Sequence, residues 1–258
     1  VDAADPSDLD AAMEAARLDP DPMCRTLATR VAGRIGGERA AIALSDLYAS
    51  ADDTVKIAVL DAWAMPTVLA NGGRASLVQV AEAADSMASI AAAGALLRAG
   101  GDTAAIGRAV LARAIREGTS EERVTALRLA PVNDADVLAA LDLATASDDP
   151  DVRVSALARS LDVPSRRAAA TAKLQAAARG RDAAARQARF ALAEARDPSV
   201  APLLEQDLTV GGASYRERAA IALFYLGKPG KMAPSLADPD PSVRMAVACS
   251  LAGDRGPA

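Results

Sequence analysis

The chain has 258 residues, a formal net charge of −5 and no histidine; 51% of it is apolar but only 2% aromatic. The missing imidazole excludes Ser-His-Asp and Cys-His nucleophiles and His-ligated zinc or iron. A pI near 4.9 argues against whole-protein attraction to nucleic acid.

In chain order, Val1-Asp2-Ala3-Ala4-Asp5 does not read as a signal peptide. No window approaches a membrane-spanning run of apolar residues. The first predicted helix, Asp8 to Leu18, lies in an acidic segment. Residues 1–22 carry Asp2, Asp5, Asp8, Asp10, Glu14, Asp19 and Asp21 against Arg17. Such a helix suits the polar end of a stack. Next comes the phrase Asp19-Pro20-Asp21-Pro22-Met23-Cys24-Arg25. It returns as Asp148-Asp149-Pro150-Asp151-Val152-Arg153 and as Asp238-Pro239-Asp240-Pro241-Ser242-Val243-Arg244. Aligned on Arg25, Lys56, Ala88, Arg123, Arg153, Arg186, Arg216 and Arg244, the copies are 31, 32, 35, 30, 33, 30 and 28 residues apart. The copy at Asp85-Ser86-Met87-Ala88 lacks the basic residue. A period near 30 is the signature of stacked repeats.

Each phrase opens a helix whose small and apolar residues recur at helical spacing, as in Cys24, Ala28 and Val31-Ala32. Asp52, Ser120, Asp182 and Asp240 are placed to cap free N–H groups. Pro22, Pro150 and Pro241 suit the first turn, where a missing N–H costs nothing. Partner helices are predicted between the phrases: Glu38 to Ala49, Arg74 to Ala84, Thr103 to Arg116, Asp134 to Ala146, Ser165 to Arg179, Ser199 to Leu208 and Lys231 to Leu236. Gly118, Gly180 and Gly211 read as stops, and Pro66 to Gly73 as an irregular entrance to the third repeat. No alternating strand pattern is found.

The Asp-Pro-x-Val-Arg turn followed by an Ala-rich helix resembles the HEAT repeat, most closely the short form also found in phycobilisome lyase subunits. The resemblance implies an all-α fold: a right-handed α-α superhelix of about eight helix pairs, a single solenoid over residues 1–258. It also implies that the helices starting near Pro22, Thr54, Ser86, Ser120, Pro150, Asp182, Ser214 and Pro241 line a concave face. Such arrays serve as scaffolds, adaptors, inhibitors and, rarely, enzymes. Deoxyhypusine hydroxylase has similar repeats but needs His-Glu iron motifs, which a chain without histidine lacks.

The basic ladder is expected to form ion pairs between repeats. Its alternative is a row of ligand contacts. Cys24 and Cys249, about seven repeats apart, are expected to be free thiols, at least one of them buried. Trp63 falls at a core register. Tyr215, Phe224 and Tyr225 read as core and cap contacts, with exposure on a binding face as the alternative. Carboxylate pairs such as Glu121-Glu122 read as cap residues.

Charge is the most informative departure from the repeat. From Arg153 to Arg196 there are ten basic and three acidic residues. Arg159, Arg166, Arg167, Arg179, Arg181 and Arg189 are therefore the candidate partner-binding residues. No catalytic, metal-binding or cofactor-binding residue is expected. The function expected is a non-enzymatic scaffold holding another protein on its concave face. The alternatives are an acidic partner or nucleic acid at repeats five and six, with nucleic acid not expected, or a lyase-like subunit handling a cofactor on its partner. Val243, Val247 and Leu251 suit further stacking, so end-to-end contact at the last repeat is a second partner expectation. The compartment expected is the cytoplasm.

Overall fold

The computed structural model describes residues 6–83 and 86–253. Among these residues there is no strand. Two sets of helices alternate. The helices that follow the repeated turn are Pro22–Ile35, Asp53–Trp63, Met87–Ala99, Ser120–Leu129, Pro150–Ser160, Ala183–Glu194, Ala213–Tyr225 and Pro241–Gly253; they are called turn helices below. Their partner helices are Pro6–Leu18, Gly37–Ser50, Arg74–Glu82, Ala104–Glu117, Ala135–Ala144, Pro164–Ala177, Ala201–Asp207 and the short Pro229–Met232. Eight described pairs match the expected repeat number. Pro66–Val68 followed by the wide turn Leu69–Gly73 forms the irregular entrance to the third repeat. Val1 to Asp5, Ala84 and Asp85, all named above, lie outside the described residues.

The helix starts follow from the turn chemistry. Asp21 accepts from the Met23 N–H at 2.8 Å, Asp52 from Val55 at 3.0 Å and Asp182 from Ala185 at 2.7 Å. Asp149 takes both Asp151 and Val152. Each bond satisfies an N–H that the helix itself leaves open. Pro22 and Pro150 occupy the first helical turn. Ser120 departs from expectation. It lies inside its helix, and Thr119 is the cap, in a reciprocal box with Glu122.

The helices divide into two compact units, residues 1–140 and 141–258, with the boundary inside Ala135–Ala144. In the first unit, Pro22–Ile35 packs beside Asp53–Trp63, that helix beside Met87–Ala99, and that one beside Ser120–Leu129. In the second, Pro150–Ser160, Ala183–Glu194, Ala213–Tyr225 and Pro241–Gly253 stack in the same serial way. Such neighbour-only packing defines a helical repeat array. Leucines fill the layers: Leu44, Leu60, Leu96, Leu111 and Leu127 in the first unit, Leu174, Leu192 and Leu223 in the second, all fully buried. Small residues set the helix separation. A Cβ on Gly33 would lie 2.7 Å from the Ala62 Cβ of the next turn helix. Val243 and Val247 are fully buried in the second unit's own core. Met245 and Cys249 are among the residues left outward on the last helix.

Candidate functional site

The basic ladder is absorbed by the turns. Arg25 donates to the Asp19 carbonyl at 3.0 Å, and Arg244 to those of Asp238 and Pro239 at 2.7 and 2.9 Å. Arg153 bonds the Ser147 carbonyl and Arg216 that of Gly211. Each guanidinium reaches back five or six residues and ties the entering turn to its own helix. Ion pairs to a following turn exist in two cases: Arg25 with Asp52 at 2.7 Å, and Arg216 with Asp238 at 2.7 Å. The Arg216 guanidinium, aided by the Asp240 N–H, holds the Asp238 carboxyl down at about 2. Arg186 lies over the Tyr215 ring at 4.1 Å, and Lys56 over Tyr48 at 5.8 Å. These are contacts that fix the repeat.

The six candidate arginines do not converge. Arg189 must be removed from the set. It is only 5% exposed. Its Nη1 meets both Asp207 oxygens at 2.6 and 2.7 Å, and its other nitrogens donate to the Ala178 and Gly180 carbonyls. Buried and so bonded, the guanidinium stitches two helices and a turn together and is not open to a partner. Arg159 pairs with Asp162 and Arg166 with Asp142 at 2.6 Å. Arg167 is exposed but bonds the Leu161 carbonyl at 2.7 Å. Arg179 and Arg181 are exposed and make no hydrogen bond or ion pair with the described residues. They lie beyond the C-terminal end of Pro164–Ala177, whereas Arg166 and Arg167 lie in its first turn. That helix has 14 residues and is about 21 Å long.

A cleft that the sequence did not single out lies at the C-terminal ends of two neighbouring turn helices in the second unit. Glu194 and Arg196 line one side, Phe224, Tyr225 and Leu226 the other, with Gly227 and Pro229 beneath. Both helices end in the same way. Asp197 N–H reaches the Leu192 carbonyl, and Lys228 N–H that of Leu223, each at 2.9 Å. This closure places one residue in the left-handed region. In one repeat that residue is Gly227, with φ 66°; in the other it is Arg196, with φ 60°. Arg196 is the one non-glycine residue with positive φ among the described residues. Left-handed backbone is strained for any residue carrying a Cβ.

Aromatic rings build the wall of the cleft. Phe190 meets Tyr225 edge-on at 5.8 Å, Phe224 lies 6.3 Å from Tyr225, and Arg218 sits over Phe190 at 5.0 Å. Tyr225 remains 41% exposed, a correction to its reading as a core contact. Neither the Glu194 carboxylate nor the Arg196 guanidinium makes a hydrogen bond or salt bridge with the described residues. Packing around Glu194 pushes its carboxyl up; Asp162 adds to the rise and Arg218 opposes it.

The first unit has a second groove, lined by Tyr48, Trp63 and Gln79 among small residues. Trp63 is 3% exposed and packs on Tyr48 at 5.0 Å, a core role as expected.

Both cysteines are exposed, which corrects the expectation of a buried thiol. Asp19 foremost, then burial and Asp21, push the Cys24 thiol up. Among the described residues no cluster of three or more His, Cys, Asp and Glu side chains is placed to hold a metal ion. No helix of the described residues is long and apolar enough to cross a membrane.

No protein-family model matches the chain, and no match was found among curated proteins. Solved structures similar to it include the following three. Human deoxyhypusine hydroxylase in complex with glycerol is 17% identical over 95% of both chains, with a TM-score of 0.38. An engineered protein is 21% identical over 95% of both chains, with a TM-score of 0.24. A designed armadillo repeat protein is 15% identical over 95% of this chain and 98% of its own, with a TM-score of 0.24. The first of these is an enzyme, so the expectation that the chain is not an enzyme does not stand. From the caps, the period and the serial stacking, the chain is an all-α helical repeat protein of HEAT-like build.

Proposed function

We propose that the chain is an adaptor that binds a partner protein along the turn helices of its second unit, with the Glu194–Arg196–Tyr225 cleft at the centre of contact. One observation carries this reading. In that cleft, a carboxylate and a guanidinium that make no hydrogen bond or salt bridge with the described residues stand beside an exposed aromatic ring. On other turn helices Arg25, Arg153, Arg216 and Arg244 are taken up by turn carbonyls, and Arg30, Asp61 and Arg98 by neighbouring repeats. Tyrosine and arginine supply much of the binding energy at protein interfaces. Repeat arrays present such surfaces on rigid helices.

Photo-crosslinking tests the reading. With benzoylphenylalanine at position 225, a discrete partner is expected to be captured from a host extract, and captured less when excess unlabelled chain competes. The same label at position 143, another exposed site of the second unit, is expected to capture nothing specific. Equal capture from both positions, or none from 225, would contradict the reading.

A further inference from the structure

The cleft also carries information about the chemistry of what it binds. Arg196 occupies a backbone position where the neighbouring repeat has Gly227. A glycine there would relieve the strain, and the arginine side chain makes no hydrogen bond, ion pair or ring contact with the described residues that would offset it. Strained residues of this kind concentrate where a side chain is needed for binding. Its neighbours around the cleft are also basic. Lys228 is exposed and unpaired, and Arg218 lies over the Phe190 ring. Glu194 is the one acidic residue lining the cleft. Between the charges lies an apolar shelf of Phe224, Leu226 and Pro229, each partly exposed.

We infer that the cleft receives an acidic peptide segment bearing an apolar anchor side chain. The anchor rests on Phe224, Leu226 and the Tyr225 ring. A carboxylate beside it pairs with Arg196, and Glu194 accepts a backbone N–H of the segment. A guanidinium–carboxylate pair of this kind fixes orientation as well as affinity. The inference rests on the adaptor reading above and narrows it to one partner chemistry.

Fluorescence anisotropy on the full chain tests it, with three labelled peptides capped at both ends. The acidic probe is Glu-Glu-Phe-Leu-Glu-Glu. In a neutral version Gln replaces every Glu, and in a second control Ala replaces Phe and Leu. Saturable binding is expected for the acidic probe, at least tenfold weaker for each control. Arg196→Gly suits the left-handed backbone and so keeps the fold, and it is expected to lower affinity for the acidic probe at least tenfold. Tyr225→Ala is expected to weaken the acidic and neutral probes alike. No saturable binding of the acidic probe, equal binding of the neutral one, or full affinity in Arg196→Gly would overturn the inference. Such a failure leaves the adaptor reading intact if crosslinking from position 225 still captures a partner, and the two readings are thereby separable.

Discussion

The two units treat the same kind of charge differently. In the first, Asp61 sits between two arginines of adjacent turn helices, Arg98 at 2.7 Å and Arg30 at 4.0 Å. Three consecutive repeats close their charges on one another. In the second unit, Glu194 lies near Arg218 and Asp162, but Arg218 is drawn onto the Phe190 ring and Asp162 onto Arg159. The middle carboxylate is left open. Overall charge follows the same division. Residues 1–140 carry 13 basic and 20 acidic side chains, residues 141–258 carry 16 and 14. Where neighbouring repeats satisfy one another, the surface serves stacking. Where an aromatic ring diverts the partner, a surface is left for something else.

Ion pairs give the sharpest way to break that contrast. Asp207→Ala strands the buried Arg189 charge, and a loss of about 3–5 kcal/mol is expected. Asp61→Ala in the first unit removes an exposed pair and is expected to cost about 0–1 kcal/mol. Urea denaturation checks both, and similar losses would show that exposure does not separate them. Overpacking comes next. Gly33→Val forces the first two turn helices apart and is expected to cost about 1–3 kcal/mol.

A smaller effect of opposite sign is expected at Arg196. Arg196→Gly relieves left-handed strain worth about 1 kcal/mol and should raise Tm by about 2–4 °C. A lowered Tm would mean that the guanidinium has a structural partner.

The smallest effects are in pH dependence. Asp238 has its pKa lowered in the fold to about 2. Its contribution is therefore present above the ordinary carboxylate value and lost as pH falls toward about 2. Glu194 is shifted the other way. Its folded form holds a proton more tightly than the unfolded chain, so stability falls as pH rises above the ordinary glutamate value. Comparing denaturation of wild type with Asp238→Asn and Glu194→Gln across mildly acidic pH should show slopes changing in opposite directions. Parallel changes would contradict the contrast between a satisfied and an open carboxylate.

The repeat was legible in the sequence because its turn chemistry is local. Asp, Pro and a basic residue at fixed spacing dictate a cap, a helix start and a clamp on the turn, and the turn helices at Pro22, Pro150 and Pro241 begin where those residues put them. Ser120 was misassigned by one residue because Thr and Ser stand side by side, and only the reciprocal bond with Glu122 selects Thr119. Arg189 was misread because its burial depends on Asp207, 18 residues away, and on two turn carbonyls. Charge counting along a segment cannot see such a partner. The cleft stayed hidden for a related reason. Repeats were aligned on helix starts, while Arg196 and Gly227 are equivalent at helix ends. Aligning the C-terminal closures would have shown an arginine where a neighbouring repeat has glycine.

The central claim is that Arg196 is kept for binding at the expense of stability. Measuring both quantities on one variant tests it most directly. In Arg196→Gly, thermal unfolding should move up while affinity for the acidic peptide falls at least tenfold. Stability and affinity that fall together, or an affinity that does not change, would contradict the account.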